Sequence, residues 1–163
     1  MNEVDRFNTV SWSGPINDLF FTTLLSFEAG RLILCTSGGD VHISLAAADF
    51  VFRRGTEIIV TGQCMSAGLV ILASSHSRKA TALTRFYNHP CSEWTPDGSS
   101  KTSDPEMKLL DRLCARILGN ATDKEPEFWM DSSWDNHYFG AEEALELGLI
   151  QEIIPSCIEV KYD

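Results

Sequence analysis

Gly62-Gln63-Cys64-Met65-Ser66-Ala67-Gly68 is the stretch that decides how this chain folds. Before it runs a β-branched segment, Glu57-Ile58-Ile59-Val60-Thr61. After it comes an apolar one, Leu69-Val70-Ile71-Leu72-Ala73. A buried strand that turns through small residues into a helix brings a single serine to the turn. The N–H groups of the helix's first turn have no intrahelical partner there. The same stretch also suits a plain strand–helix turn with a serine cap, so the neighbouring segments have to carry the argument.

Upstream, Arg31-Leu32-Ile33-Leu34-Cys35 reads as a second buried strand. It is followed by the turn Thr36-Ser37-Gly38-Gly39-Asp40 and an apolar-periodic segment from Val41 to Phe52. Successive strand–turn–helix units imply parallel strands joined by right-handed crossovers. Their carboxyl ends share one sheet edge, where sites form. Gly38-Gly39 and Ser66 are therefore expected together, with backbone N–H groups free to hold an oxyanion. Downstream, Arg85-Phe86-Tyr87-Asn88-His89-Pro90 reads as a short strand delivering a histidine. Pro90 biases His89 toward extended backbone, and a neutral imidazole there can accept a serine proton. His42, His76 and His137 read as surface or capping residues.

In this order the motifs resemble the ClpP family of self-compartmentalised serine peptidases, over roughly residues 9 to 154. Gly38-Gly39 is similar to the family's Ser-Pro-Gly-Gly turn. Gly62 to Gly68 is similar to its Gly-Gln-Ala-Ala-Ser-Met-Gly motif, and Asn88-His89-Pro90 to its Ile-His-Gln-Pro strand. Phe139-Gly140-Ala141-Glu142-Glu143-Ala144-Leu145-Glu146-Leu147-Gly148-Leu149-Ile150 resembles its Met-Ser-Ala-Glu-Glu-Ala-x-x-Tyr-Gly-Leu-Ile signature.

The resemblance implies an α/β fold, a ClpP/crotonase-like spiral of βα units with a mainly parallel sheet and a protruding handle helix. It implies one peptidase domain over residues 1–163, with the handle at approximately 91–131. It also implies a Ser-His-Asp triad of Ser66, His89 and Asp131, with Asp135 as the alternate third member. The N–H groups of Gly39 and Ala67 would form the oxyanion hole, and Gly38 would line the substrate cleft. The activity implied is ATP-independent hydrolysis of peptides or unfolded protein inside a homo-oligomeric chamber, a heptameric ring or double ring. The chain would be the proteolytic subunit of an ATP-dependent protease if an AAA+ unfoldase docks. A catalytically inactive ring subunit, and a crotonase-fold enzyme acting on acyl-CoA, are the competing functions.

The chain departs from the family pattern in three places. Ser37 stands where the family has proline. The chain begins close to its first strand, so the axial region that meets the unfoldase is expected to be missing. Cys91 to Asp104 is short and polar where the family has a handle strand, so ring stacking is expected to be weaker than ring closure.

Composition bounds the rest. A chain of 163 residues is long enough to bury about two thirds of its extended surface as one domain. A net charge of −10 and a pI near 4.7 argue against nucleic-acid or anionic-membrane partners. Cys64 to Ala73 is too short to span a bilayer. Met1-Asn2-Glu3-Val4-Asp5 opens no signal peptide, and the expected compartment is the cytoplasm. The five cysteines form no Cys-x-x-Cys pair, so no metal, disulfide framework or cofactor is expected.

Local signals place the remaining helices. Asn17 caps one through Glu28, ended by Gly30. Asp40 or His42 opens the next, which closes with Arg53-Arg54 before Gly55. Lys79 to Leu83 is expected as a strand. Asp104-Pro105-Glu106 starts a helix through Leu118, stopped by Gly119-Asn120. Trp94, Trp129 and Trp134 suit either a subunit interface or core filling.

Overall fold

The computed structural model describes residues 8–26, 28–94, 100–101 and 104–157. The expectations that rest on Met1 to Asp5, on Phe27 and on most of Thr95 to Ser103 lie outside them.

The described chain runs β1 (Thr9–Ser13), α1 (Asp18–Ser26), β2 (Arg31–Thr36), α2 (Val41–Arg54), β3 (Glu57–Met65), α3 (Ala67–Ser74), β4 (Arg78–Thr81) and β5 (Arg85–Asn88). Then come β6 (Glu93–Trp94), β7 (Ser100–Lys101), α4 (Pro105–Thr122), α5 (Pro126–Met130), a 3-10 turn (Ser132–Trp134), β8 (His137–Gly140), α6 (Ala141–Glu146) and β9 (Glu152–Ile154). This is the α/β spiral of βα units that the motifs imply. A seven-stranded sheet follows the order β1-β2-β3-β4-β9, with β5 added to β3 and β8 added to β5. All its pairings are parallel except β5 with β8.

The strand carrying Ser66 changes partners halfway. Residues 58–60 of β3 pair with β4, and Gln63, Cys64 and Met65 pair with Arg85, Phe86 and Tyr87 of β5. Between these two stretches Gly62 adopts φ 69°. The register with β2 slips there, from Leu34↔Val60 to Thr36↔Cys64. The bulge turns the end of β3 away from β4 and toward the histidine strand, re-aiming the residues that follow.

The local elements keep to their sequence signals, with corrections at the end of α1, which stops at Ser26 rather than Glu28, at β4 and at the end of α4. Asp40, not His42, caps α2, its carboxylate accepting the His42 and Ile43 amides at 2.8 and 3.1 Å. Gly55 closes that helix in the left-handed region. Asn17 caps α1 by accepting the Phe20 amide at 3.0 Å. The expected strand Lys79–Leu83 is instead β4, Arg78–Thr81, followed by a turn. Helix α4 runs on past Gly119-Asn120 to Thr122. Gly119 is inside the helix because a Cβ there would stand 2.6 Å from the Lys124 carbonyl oxygen, so it permits a tight return of chain rather than a stop.

The core is one cluster between the sheet and α1, α2, α3 and α4, built on residues such as Phe20, Leu32, Leu34, Ile58, Val60, Ile71, Leu72 and Phe86. Trp129 belongs to it, buried and donating to the Thr122 hydroxyl at 3.1 Å. Trp134 packs on Trp129, Phe128 and Phe139. These two tryptophans fill space within the chain.

Candidate active site

The carboxyl ends of β2, β3 and β5 meet α4 at a cavity of about 760 Å³, lined among others by Gly39, Ser66, Ala67, His89, Cys91, Met107, Leu118, Trp129 and Asp135. Ser66 stands at the tip of the strand–helix turn with φ 53° and ψ −123°. A side chain rarely holds this backbone conformation, which costs on the order of 1–3 kcal/mol. The surroundings enforce it. The Ser66 amide donates to the Tyr87 carbonyl at 2.8 Å, tying the turn to β5, and Leu69 N–H donates to the Ser66 carbonyl at 2.9 Å.

Two glycines make the second wall. A Cβ on Gly38, at φ 96°, would lie 2.7 Å from Ser66 Cβ and 2.9 Å from the Met65 carbonyl oxygen. A Cβ on Gly39 would lie 2.3 Å from the Ile16 carbonyl oxygen. Only glycine lets this turn press against both the nucleophile turn and buried Ile16. Ser37 in place of the family's proline leaves the turn intact. The Thr36 hydroxyl accepts the Gly38 amide at 3.0 Å, and Ile16 brackets the pair through Ile16 N to Gly38 O and Asp40 N to Ile16 O, each at 2.9 Å. The Gly38 amide is thereby occupied, and that of Gly39 has no backbone acceptor among the described residues. Ala67, as the first residue of α3, offers a second N–H without an intrahelical partner.

His89 follows β5 directly and lines the same cavity. Its ring stacks on Tyr87 at 5.3 Å between centroids. Tyr87 stacks in turn on Tyr138 at 4.1 Å. Burial, and then Tyr138, push the Tyr87 phenol above its ordinary pKa, so the hydroxyl stays protonated and donates to Asn136 Oδ1 at 2.6 Å. Among the described residues neither the Ser66 hydroxyl nor the His89 ring makes a hydrogen bond.

The two aspartates nominated by sequence are placed differently. Asp131 is exposed and does not line the cavity. Its carboxylate accepts the Ser133 amide at 2.9 Å, and hydrogen bonds from the Ser133 side chain and amide hold it below the usual carboxylate range. Asp135 lines the cavity with Ser66 and His89. A third residue was missed by the sequence reading. The antiparallel ladder of β5 and β8 ends with Asn88 paired to His137, so Asn136 and His89 are the residues that flank its open end. Asn136 has φ 58°, a conformation that asparagine tolerates better than most residues. The signal lay in counting back from Phe139-Gly140-Ala141 along a strand, which needs the pairing to be known.

Cys64, two residues before Ser66, is fully buried, and burial followed by the neighbouring Cys35 pushes its thiol far up. It is packing, not a competing nucleophile. Among the described residues no group of His, Cys, Asp or Glu is arranged to hold a metal ion, and no helix is long and apolar enough to cross a membrane.

The Clp protease family model matches residues 27–156, and the chain belongs to that family. It is 27% identical over 139 residues to the ATP-dependent Clp protease proteolytic subunit 2 of Chlamydia pneumoniae, covering 82% of this chain and 68% of the relative. Proteolytic subunit 1 of Chlamydia felis is 26% identical over 137 residues, 80% and 68% of the two chains. Among solved structures, the ClpP protease catalytic domain from Plasmodium falciparum superposes with TM-score 0.77 at 22% identity, covering 93% of this chain and 87% of that one. A ClpP1 mutant from Listeria monocytogenes superposes with TM-score 0.75 at 20% identity, 92% of each. The fold is the ClpP fold, in a divergent member.

Proposed function

We propose that this chain is a serine peptidase subunit that hydrolyses peptides and unfolded protein segments without ATP. Ser66 attacks the scissile carbonyl, His89 takes its proton and returns it to the leaving amine, and the Gly39 and Ala67 N–H groups hold the oxyanion. The observation that carries this reading is the strained backbone of Ser66, held against Gly38 and the histidine strand at one cavity. Asp131 and Asp135 were the carboxylates nominated to orient His89. The cavity position favours Asp135 of the two, and the β5–β8 ladder, if continued by one pair, would bring Asn136 to the ring. An asparagine orients a histidine but stabilises an imidazolium less than a carboxylate does.

Membership of the family supports a closed homo-oligomeric ring, heptameric and single or stacked, with the serines facing inward. Docking of an AAA+ unfoldase and a cytoplasmic location belong to the same reading. A native mass near that of one chain in the active species would remove its oligomeric half.

A second reading, a weakly active or inactive ring subunit, is favoured by Asn136 and by the absence of a Ser66–His89 hydrogen bond. Labelling with a fluorophosphonate, together with cleavage of fluorogenic peptides, separates the two. The expected result is labelling of the wild-type protein at Ser66, loss of labelling in Ser66→Ala, and a fall in turnover of up to about 10⁶-fold. An unlabelled, inactive wild type that still assembles would establish the second reading. Undiminished turnover in Ser66→Ala would defeat the first.

A further inference from the structure

The wall of the cavity facing the nucleophile carries two thiols outside the proposed machinery. Cys91 follows His89-Pro90, and Cys114 lies on α4; both line the cavity and both are half-buried free cysteines. The backbone pins one to the other's helix. Asp111, three residues before Cys114 and therefore on the same helical face, accepts the Cys91 amide at 2.6 Å. The Cys114 thiol is close enough to be the first of the groups that push the Cys91 thiol up.

We propose that Cys91 and Cys114 are a redox-modifiable pair, and that their disulfide tethers the histidine-bearing segment to α4 and lowers peptidase turnover. The disulfide rests on the Asp111 tether and the shared cavity wall; its effect on turnover rests on the peptidase reading above. With a peroxide as oxidant, the Cys114 thiol gives up its proton and attacks one peroxide oxygen, the O–O bond breaks, and a sulfenic acid and hydroxide result, the hydroxide taking up the released proton as water. The Cys91 sulfur then attacks the Cys114 sulfur, its proton leaves with the sulfenic oxygen as a second water, and the S–S bond forms. Two thiols are oxidised and one peroxide is reduced. The contact with Cys114, then burial, push the Cys91 thiol up, which suits it to the second step, and the reaction, which needs a thiolate, is faster at alkaline pH.

The consequence for catalysis follows from where His89 stands. Its ring rests on Tyr87 without bonding to Ser66, so hydrolysis requires it to move. Cys91 is two residues away, across Pro90, whose φ is fixed. Closing the sulfurs to a bond of about 2.05 Å draws that segment onto α4 and restrains the histidine.

The full-length protein treated with hydrogen peroxide at pH 8, alkylated and digested without reduction tests this. The expected product is a linked peptide containing Cys91 and Cys114, two hydrogens lighter than the separate peptides. Turnover of a fluorogenic peptide is expected to fall about ten-fold or more and to return with dithiothreitol. Cys91→Ser and Cys114→Ser proteins should each resist peroxide inactivation. Sulfinic or sulfonic acids without the link, or a link to Cys35, Cys64 or Cys157 instead, would overturn the proposal. A complete Cys91–Cys114 link with unchanged turnover would overturn its regulatory part. If the reduced protein cleaves no peptide and takes no probe, the peptidase reading and the turnover effect fail together, and the linked peptide still decides whether the pair forms.

Discussion

Two polar regions of this molecule, one buried and one open to a cavity, treat their hydrogen-bonding groups in opposite ways. At one end of the sheet, Arg78 is almost fully buried and every arm of its guanidinium is engaged. It donates to the carbonyls of Ser75 at 2.6 Å, Leu149 at 2.9 Å, Ala121 at 3.1 Å and Gly148 at 3.2 Å. Its amide reaches Gln151 Oε1 at 2.8 Å, and the Gln151 amide returns to the Arg78 carbonyl at 2.8 Å. One side chain thus closes the ends of α3 and α4 and the turn into β9. Burial lowers the guanidinium pKa, yet four carbonyl dipoles replace its water. At the other end, the Ser66 hydroxyl, the His89 ring and the Gly39 amide hold no such bonds, and the Ser66 backbone is strained. Satisfied groups hold the fold. Idle groups held in place by satisfied neighbours are what a substrate can meet.

The sharpest way to break that contrast is Arg78→Met. Its apolar stem is kept while four carbonyls lose their donor, and the expected loss is about 3 kcal/mol of stability. Urea unfolding followed by circular dichroism measures it. A loss under about 1 kcal/mol would mean that the corner is no more structural than a surface ion pair.

Gly38→Ala tests the opposite region. The added methyl meets Ser66 Cβ and the Met65 carbonyl, so turnover is expected to fall about 100-fold, the scale of a 1 Å displacement of a reacting group. Full activity with an unchanged melting temperature would show that the close approach is incidental.

Replacing Asn136 sharpens the site itself. Asn136→Asp puts a carboxylate at the open end of the histidine strand's ladder and is expected to raise turnover about ten-fold. Asp131→Asn should leave turnover in place. A rise with Asp131 variants and none with Asn136→Asp would return the third position to the exposed turn.

The smallest effect concerns Glu57, at the start of β3. Burial opposes its ionisation, but the bond from Arg31 at 2.6 Å and the Lys79 ammonium at 3.4 Å outweigh it and hold its carboxyl below the ordinary value. A depressed folded-state pKa adds stability that is present above the unfolded value and lost as pH falls through the folded one. Stability should therefore decline as pH drops below about 4.5, the ordinary value, and Glu57→Gln should flatten that decline. An unaltered acid limb would assign it to other carboxylates.

Much of this was legible because it is local. The turn at Ser66, the Asp40 and Asn17 caps, Gly55 and the short strand before His89 depend on residues within a few positions of one another, and their chemistry is read in order. The acid that should orient His89 was not. Asp131 matched by offset along the chain, whereas the 3-10 turn Ser132–Trp134 turns its carboxylate onto Ser133. Gly119 looked like a stop because glycine ends helices often, and its reason for being there is a carbonyl five residues later folding back onto it.

The sequence by itself determined the family, the α/β order and the two residues, Ser66 and His89, that face one cavity. Strand periodicity and glycine turns are short-range properties, and four motifs in order leave few folds that satisfy them. Tertiary structure alone decided that β3 leaves β4 for β5 at Gly62, that Tyr87 reaches Asn136, and that the Cys91 amide meets Asp111 of α4. Each is a pairing between segments far apart in the chain. Such pairings depend on register and on which faces pack, and no local pattern encodes them.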